Sequence, residues 1–365
     1  MQYTICKDLE SIKSLDFVPT VIIGFYQVGS EVQFQESFSH LKSLFPSCDV
    51  FGCSSQSNID DCVPHIDKNS MVSCLYICIN MPQIAYKIQL YTDKSQKIYS
   101  QKSKKYSAMV FSAKYHASLE TLIIKLQEAL GEKAFFGAIS GIDLQSLEGS
   151  TLFYNGAFID KGELIWYIDQ EYYLLEGVSI HNFDPIGYEL TITSAKKNII
   201  YEIDHRPALD VLEEIIGNLS HESIASFDHP LFIHSVEGTN KDNKTLFSMK
   251  AIDRKRQSIH LFRNVFAEDK LKLAIPHRRE AQERQLQGFK EYSQKDGLAF
   301  LFVCIAFMGN WGEMEPIYLM RLAKKMGMPF VGFHALGEIG VLENDSHSQL
   351  QNQTLTLAVL SERKA

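Results

Sequence analysis

Three stretches of this 365-residue chain follow one plan: an apolar strand, an amphipathic helix, and a second apolar strand that closes on a glycine and a short polar segment. The closing segments read Val50-Phe51-Gly52-Cys53-Ser54-Ser55, Phe135-Phe136-Gly137-Ala138-Ile139-Ser140 and Phe330-Val331-Gly332-Phe333-His334-Ala335. The opening strands, at 20–26, 108–113 and 298–305, precede those glycines by roughly 25 to 30 residues, the span that a strand, crossover helix and parallel strand require. The chain is therefore expected to be α/β, with repeated βαβ units in parallel or mixed sheets. A glycine closing a buried strand allows a ligand or neighbouring backbone to come close, and ligands of α/β sheets bind at strand ends. The repeat thus marks Gly52, Gly137 and Gly332 as a candidate site, read here as lying in turns.

Helical periodicity supports the crossovers. Phe34, Phe38, Leu41 and Phe45 form one apolar stripe, as do Leu119, Leu122, Ile123, Leu126 and Leu130 before a stop at Gly131. From 151 to 206 the pattern changes to short strands with hairpin signals at Asn155-Gly156 and Asp160-Lys161-Gly162, which predict an antiparallel meander added to the parallel core. Pro207 opens a helix that Gly217 ends. This divides the chain into two related halves, residues 1–206 and 207–365. In the second half a strand is expected at 231–236, a helix at 278–292, the third βαβ unit, and an alternating strand at 353–360.

A net charge of −8 argues against general nucleic-acid binding. Residues 250–279 nonetheless hold nine Lys or Arg against Asp253, Glu268 and Asp269, a local +6. That stretch reads as a solvated hairpin face or as a dock for an acidic partner. Lys7, Asp8 and Glu10 stand where a secretory apolar core would lie, and the most apolar run, 298–308, is too short to span a bilayer, so a cytoplasmic location without membrane association is expected. The seven cysteines, five of them between Cys48 and Cys78 or just inside, lack a CxxC pair and read as reduced core residues, not zinc ligands.

Catalytic signatures do not assemble. Gly52-Cys53-Ser54-Ser55-Gln56 lacks the second glycine of a nucleophile elbow, and phosphate loops, H-E-x-x-H and dinucleotide fingerprints are not found. A non-enzyme is expected; a hydrolase or transferase would need groups assembled from distant loops.

Taken in order, several motifs resemble the FIST-domain proteins, bacterial sensory proteins with paired FIST N and FIST C domains. In the first half these are Phe51-Gly52-Cys53-Ser54-Ser55, Phe136-Gly137-Ala138 with Asp143, Phe153-Tyr154-Asn155-Gly156, Asp184-Pro185-Ile186-Gly187 and Asp204-His205-Arg206-Pro207-Ala208. In the second they are Cys304, Gly332-Phe333 with Gly337-Glu338-Ile339, and Asn352-Gln353-Thr354. The resemblance implies a non-catalytic ligand-sensing module for small molecules such as amino acids; because nothing in the chain reads as a kinase, cyclase or DNA-reading module, a small polar, amino-acid-like ligand is expected to be signalled through a separate protein such as a histidine kinase. It also implies an alternative, since some similar proteins bind haem and report nitric oxide to such a kinase. Phe307 stands where similar chains commonly carry an arginine, and His334 where they carry an aromatic residue.

The candidate ligand set is therefore Gly52, Ser54, Ser55, Gly137, Ser140, Asp143, Gly332, His334 and Glu338. His334 offers an imidazole as haem ligand, with His234 as second candidate. Each has a plainer reading: a turn serine satisfies local backbone, and a core histidine is hydrogen-bonded in place. Glu338 offers a carboxylate for an amine, or an anchor for a histidine ring.

Overall fold

The computed structural model describes residues 1–60, 73–92, 98, 105–131, 135–143, 148–181, 183–219, 231–235, 245–276, 281–292, 295–306, 315–343 and 345–364. Cys62, Phe307, Arg278 and Arg279 lie outside them. The fold is mixed α/β, with 21% helix, 49% strand and two domains.

Three sheets repeat one design. Sheet one runs β1 (Gln2–Cys6), β5 (Cys74–Asn80), β2 (Val21–Gln27), β3 (Asp49–Ser55), β9 (Leu152–Tyr154) and β10 (Ala157–Ile159). Sheet two runs β6 (Tyr86–Tyr91), β11 (Glu163–Asp169), β7 (Tyr106–Ser112), β8 (Phe135–Ile139), β23 (Gly337–Val341) and β24 (Ser348–Gln351). Sheet three runs β12 (Tyr173–Ile180), β25 (Leu355–Glu362), β21 (Gly297–Cys304), β22 (Phe330–Ala335) and β4 (Asn58–Asp60). The parallel pairs β2–β3, β7–β8 and β21–β22 are the three expected βαβ units. Their crossovers are α2 (Glu31–Leu44), α3 (Ala117–Leu130) and a helix at Glu315–Met326. The short helix α1 (Leu9–Lys13) precedes them.

The units exchange strands in a ring. The strand after unit one, β4, pairs with β22 of unit three. The strand after unit three, β23, pairs with β8 of unit two. The hairpin strand after unit two, β9, pairs with β3 of unit one. Each exchanged strand is antiparallel and caps an edge that the short parallel pair would otherwise leave open. On the other side of each unit an antiparallel strand, β5, β11 or β25, completes the equivalence.

The inner faces meet in an aromatic centre. Phe25 lies 4.8 Å from Phe333 and 6.1 Å from Phe111, while Phe302 lies 5.4 Å from Phe333 and 6.0 Å from Phe111. All four are fully or almost fully buried, and each contributes about 1.5–3 kcal/mol by leaving water. This closed ring of contacts ties the three sheets together.

The strands expected at 151–206 are present and join different sheets: β9–β10, β11 and β12 go one way each. The rest build a second domain, a fourth sheet of β17 (Leu246–Phe247), β16 (Leu231–Ser235), β20 (Lys270–Pro276), β13 (Phe183–Lys196), β14 (Ile199–Ile203), β19 (Ser258–Leu261) and β18 (Met249–Asp253), with β15 (Arg206–Pro207) on β14. Helix α4 (Ala208–Ile216) covers it with Leu209, Val211 and Leu212, and Gly217 at φ +85° caps it. Helix α5 (Ala281–Phe289) then returns the chain to sheet three, and the helix Glu315–Met326 is α6.

Candidate functional site

The three repeat glycines sit inside strands β3, β8 and β22, not in turns after them. Gly52 opposes Gly24, Gly137 opposes Val110, and Gly332 opposes Leu301 in the parallel pairs. A Cβ at any of the three would lie 1.7–1.8 Å from the partner's carbonyl oxygen. It is neighbouring backbone that fills the space each glycine leaves, so these residues position the site by letting paired strands close up.

Just beyond the glycines the three units converge. The amide of Gly141 donates to Ser54 O at 2.8 Å, Gln56 to His334 O at 3.3 Å, and Leu336 to Ile139 O at 3.2 Å. Ser54, Ser55, Ser140 and His334 are thus brought to one end of the aromatic centre. Their side chains are engaged there: Ser54 Oγ donates to Gly141 O at 3.0 Å and accepts from Thr151 N at 2.9 Å. Ser55 Oγ donates to Asn58 Oδ1 at 2.7 Å, and Ser140 Oγ donates to Ser112 O at 3.0 Å. Asp143, only partly buried, fixes its loop through an amide bond to Glu148 O at 2.8 Å. His334 is 5% exposed, with Nδ1 2.5 Å from Ser57 Oγ. His234 lies in β16, on the second domain; its side chain is outside the description.

Glu338 is different in kind. It sits on β23 opposite Ala138, the residue after Gly137, in the position that Leu152 and Asn58 occupy in the other two exchanged strands. Asn58 there is satisfied by Phe25 O and Ser55. Glu338 is wholly buried and only half satisfied: Oε2 accepts from Thr354 Oγ1 at 2.8 Å and Thr354 N at 3.3 Å, while Oε1 has no partner among the described residues. Burial pushes its carboxyl up to about 8, against the opposing pull of the Thr354 and Cys304 hydrogen bonds. The Cys304 thiol is driven far above its ordinary range by burial and by Glu338 beside it, so it acts as a donor and not as a thiolate.

Across the strand pair, Gln351 faces Glu338 and is also fully buried, with both amide atoms unpartnered; the next residue, Asn352, has an unpartnered Nδ2. One carboxylate oxygen and two side-chain amides thus lack partners around the Cys304–Thr354 contact. Buried polar atoms of this sort cost about 1–3 kcal/mol each when left unmet, a cost that an ordered water or a polar ligand would offset.

A family profile described as the FIST N domain matches residues 20–206, and one described as the FIST C domain matches residues 208–341. The chain belongs to the FIST family. No curated protein matches it. FIST domains are sensory domains suggested to bind small ligands in signalling. Within the FIST frame, Glu338 and Cys304 lie in the FIST C match, the strand β8 that pairs with β23 lies in the FIST N match, and Gln351, Asn352 and Thr354 follow the matched residues.

Sequence reasoning had singled out Glu338 but missed Gln351 and gave Thr354 no chemistry. The signal lies in the four consecutive polar residues Gln351 to Thr354 between the buried Leu350 and Leu355, but buried amides carry no motif. The described residues contain no group of three or more His, Cys, Asp or Glu suited to a metal. For haem, His334 is poorly placed: its ring is only 5% exposed, so Nε2, the nitrogen left over by the Nδ1 contact with Ser57, has no open face for a macrocycle. These residues do not fit a haem in the described conformation. The basic stretch also fails to form one bare face, since Arg254 pairs with Glu213, Arg256 with Asp253 and Lys270 with Glu189, while Arg263 turns inward.

Proposed function

We propose that this FIST protein is a sensory module that binds a small polar, amine-bearing molecule of the amino-acid type at Glu338 and passes the signal to a separate protein, a histidine kinase being the expected kind. The observation that carries this reading is the unpartnered Oε1 of a wholly buried Glu338, set opposite the unpartnered Gln351 amide. An ammonium group reaching Oε1 would draw the carboxyl into its charged form, and the Gln351 and Asn352 amides would meet the ligand's remaining polar atoms. Ser54, Ser55, Ser140, Asp143 and His334 frame the same end of the centre and hold the strand ends in register. Gly52, Gly137 and Gly332 set the spacing.

A sensory role without catalysis agrees with the satisfied serines and with a thiol held protonated. A cytoplasmic setting agrees with six described cysteines that are all free and buried, and no described helix is long and apolar enough to cross a membrane. The reading is tested by a thermal-shift screen of amino acids and simple amines on the wild type and Glu338→Gln. A ligand at about 100 times its dissociation constant stabilises by roughly 2.7 kcal/mol, and that gain is expected to disappear in the variant. An equal gain in both proteins would refute the assignment to Glu338.

A further inference from the structure

A second set of unsatisfied polar atoms lies between the start of α3 and the domain built on the fourth sheet. Arg263 sits with its guanidinium 4.6 Å over the Phe247 ring and donates through Nη1 to Leu350 O at 3.3 Å, while its Nε is sequestered without a partner. Tyr115 brings a hydroxyl that is likewise sequestered and unpartnered. Its ring stands edge-on to Phe262 at 5.9 Å, with Lys250 Nζ 5.8 Å from the ring centroid. Ser248, 8% exposed, accepts the Phe262 amide on its carbonyl and leaves Oγ unmet, and Asn264 leaves Oδ1 unmet.

These groups share one location because Phe262, Arg263 and Asn264 are consecutive and each touches the opposing surface. The neighbouring carboxylate, Glu120, does not neutralise Arg263 directly. Its oxygens are taken by Asn264, with N to Oε1 at 2.9 Å and Nδ2 to Oε2 at 2.5 Å, and among the described residues no carboxylate lies within ion-pair distance of Arg263. Burial lowers the guanidinium's pKa from its ordinary value, with Glu120 opposing. Arg263 is half-buried, with its Nε shielded from water and its Nη1 on one long hydrogen bond to a carbonyl, and an anion of the right size would offset the desolvation of that edge.

We propose that this cluster is a ligand site for a small oxyanion, a carboxylate or a phosphate monoester, with Arg263 as charge partner, Tyr115 and Ser248 as hydroxyl donors and the exposed Lys250 beside them. Arg263 matches such a group through a planar array of donors. Asn264 Oδ1 accepts from a protonated oxygen or from a donor elsewhere on the ligand. The site joins α3 of the three-sheet body to the second domain. It also touches Leu350, the residue before Gln351, so its occupancy bears on the strand that faces Glu338. It stands independently of the amine assignment at Glu338.

The test uses the full chain with inorganic phosphate and, separately, succinate, each against chloride at matched ionic strength, followed by thermal unfolding. The wild type is expected to show a saturable rise in Tm with at least one of them, and whichever acts identifies the source of the oxyanion. Arg263→Met, which removes a half-buried cation without a direct ion pair, is expected to unfold no lower than wild type in chloride and to lose the anion-dependent rise. Tyr115→Phe should weaken the apparent affinity by up to about tenfold, the worth of one buried hydrogen bond. No rise above chloride with either anion, or an undiminished response in Arg263→Met, would overturn the site. Should Arg263→Met fail to fold, an undiminished response in Tyr115→Phe overturns it instead.

Discussion

Glu338 and Gln351 stand directly opposite one another on the antiparallel pair β23–β24, both wholly buried, and Glu338 Oε1 and both Gln351 amide atoms have no partner among the described residues. An apolar pair of similar size would pack there without an unmet hydrogen bond, so packing alone does not favour this polar pair. The pair is the centre of the functional reading.

The raised carboxyl of Glu338 fixes a pH dependence. Its folded pKa of about 8 exceeds the ordinary carboxylate value of 4.5, so the folded state holds a proton that the unfolded chain has lost between those limits. Stability from this group is complete below about pH 4.5 and is lost as pH rises to about 8. Ligand-free Glu338→Gln is expected to be more stable than wild type at pH 8, by an amount on the order of a few kcal/mol, with the difference shrinking towards pH 5. Urea unfolding across pH 5 to 8.5 measures it, and parallel curves for the two proteins would contradict the account.

The repeat glycines make a sharper claim about packing. Gly332→Ala would drive a methyl group against Leu301 O, and Gly52→Ala against Gly24 O, contacts that only a backbone shift could relieve. Each should cost about 3 kcal/mol or more, or prevent folding. Gly29→Ala, at φ +92° but in open space, should cost only about 1 kcal/mol. Equal losses at buried and open positions, measured by chemical denaturation, would show that backbone conformation and not strand approach explains these glycines.

Strand exchange predicts how the chain tolerates division. Residues 1–206 alone would keep β8 without β23, β4 without β22 and β12 without β25, leaving an exposed edge on sheet two and two unpaired strands. That fragment is expected to show no cooperative unfolding by itself and to recover it when residues 207–365 are supplied. A monomeric, cooperatively folding 1–206 fragment would contradict the interlocked architecture.

His334 is assigned to structure. Ser57→Ala, which removes the Nδ1 partner of a buried ring, should cost about 1–2 kcal/mol. Protein produced with haem available should show no Soret band that depends on His334. A band lost in His334→Ala would restore the haem reading.

Much of the three-unit core was legible in the chain, and the reason is physical. The strands at 20–26, 108–113 and 298–305 are buried on both faces and flank helices with clean apolar stripes, so periodicity alone identifies them. The glycines were placed correctly in the chain but assigned to turns, because a glycine within a strand and one just past it leave the same trace. Strand exchange was not legible: β4 is three residues long and β23 follows β22 after one residue, and partner choice depends on which edge lies nearest in space. At the site, the carboxylate of Glu338 stood out between glycines, whereas Gln351 is an amide whose importance appears only once burial removes it from water.

Proton linkage tests the amine site most directly. A titration calorimetry experiment at pH 6.5, run in two buffers of different ionisation enthalpy with an amine ligand taken from the thermal-shift screen, measures the protons exchanged on binding. Glu338 is expected to give up close to one proton as the ammonium group reaches Oε1, with affinity rising towards pH 8. In Glu338→Gln the release should vanish together with most of the affinity. Binding with no proton released, or with the same release in the variant, would contradict a carboxyl that is neutral when empty and charged when occupied.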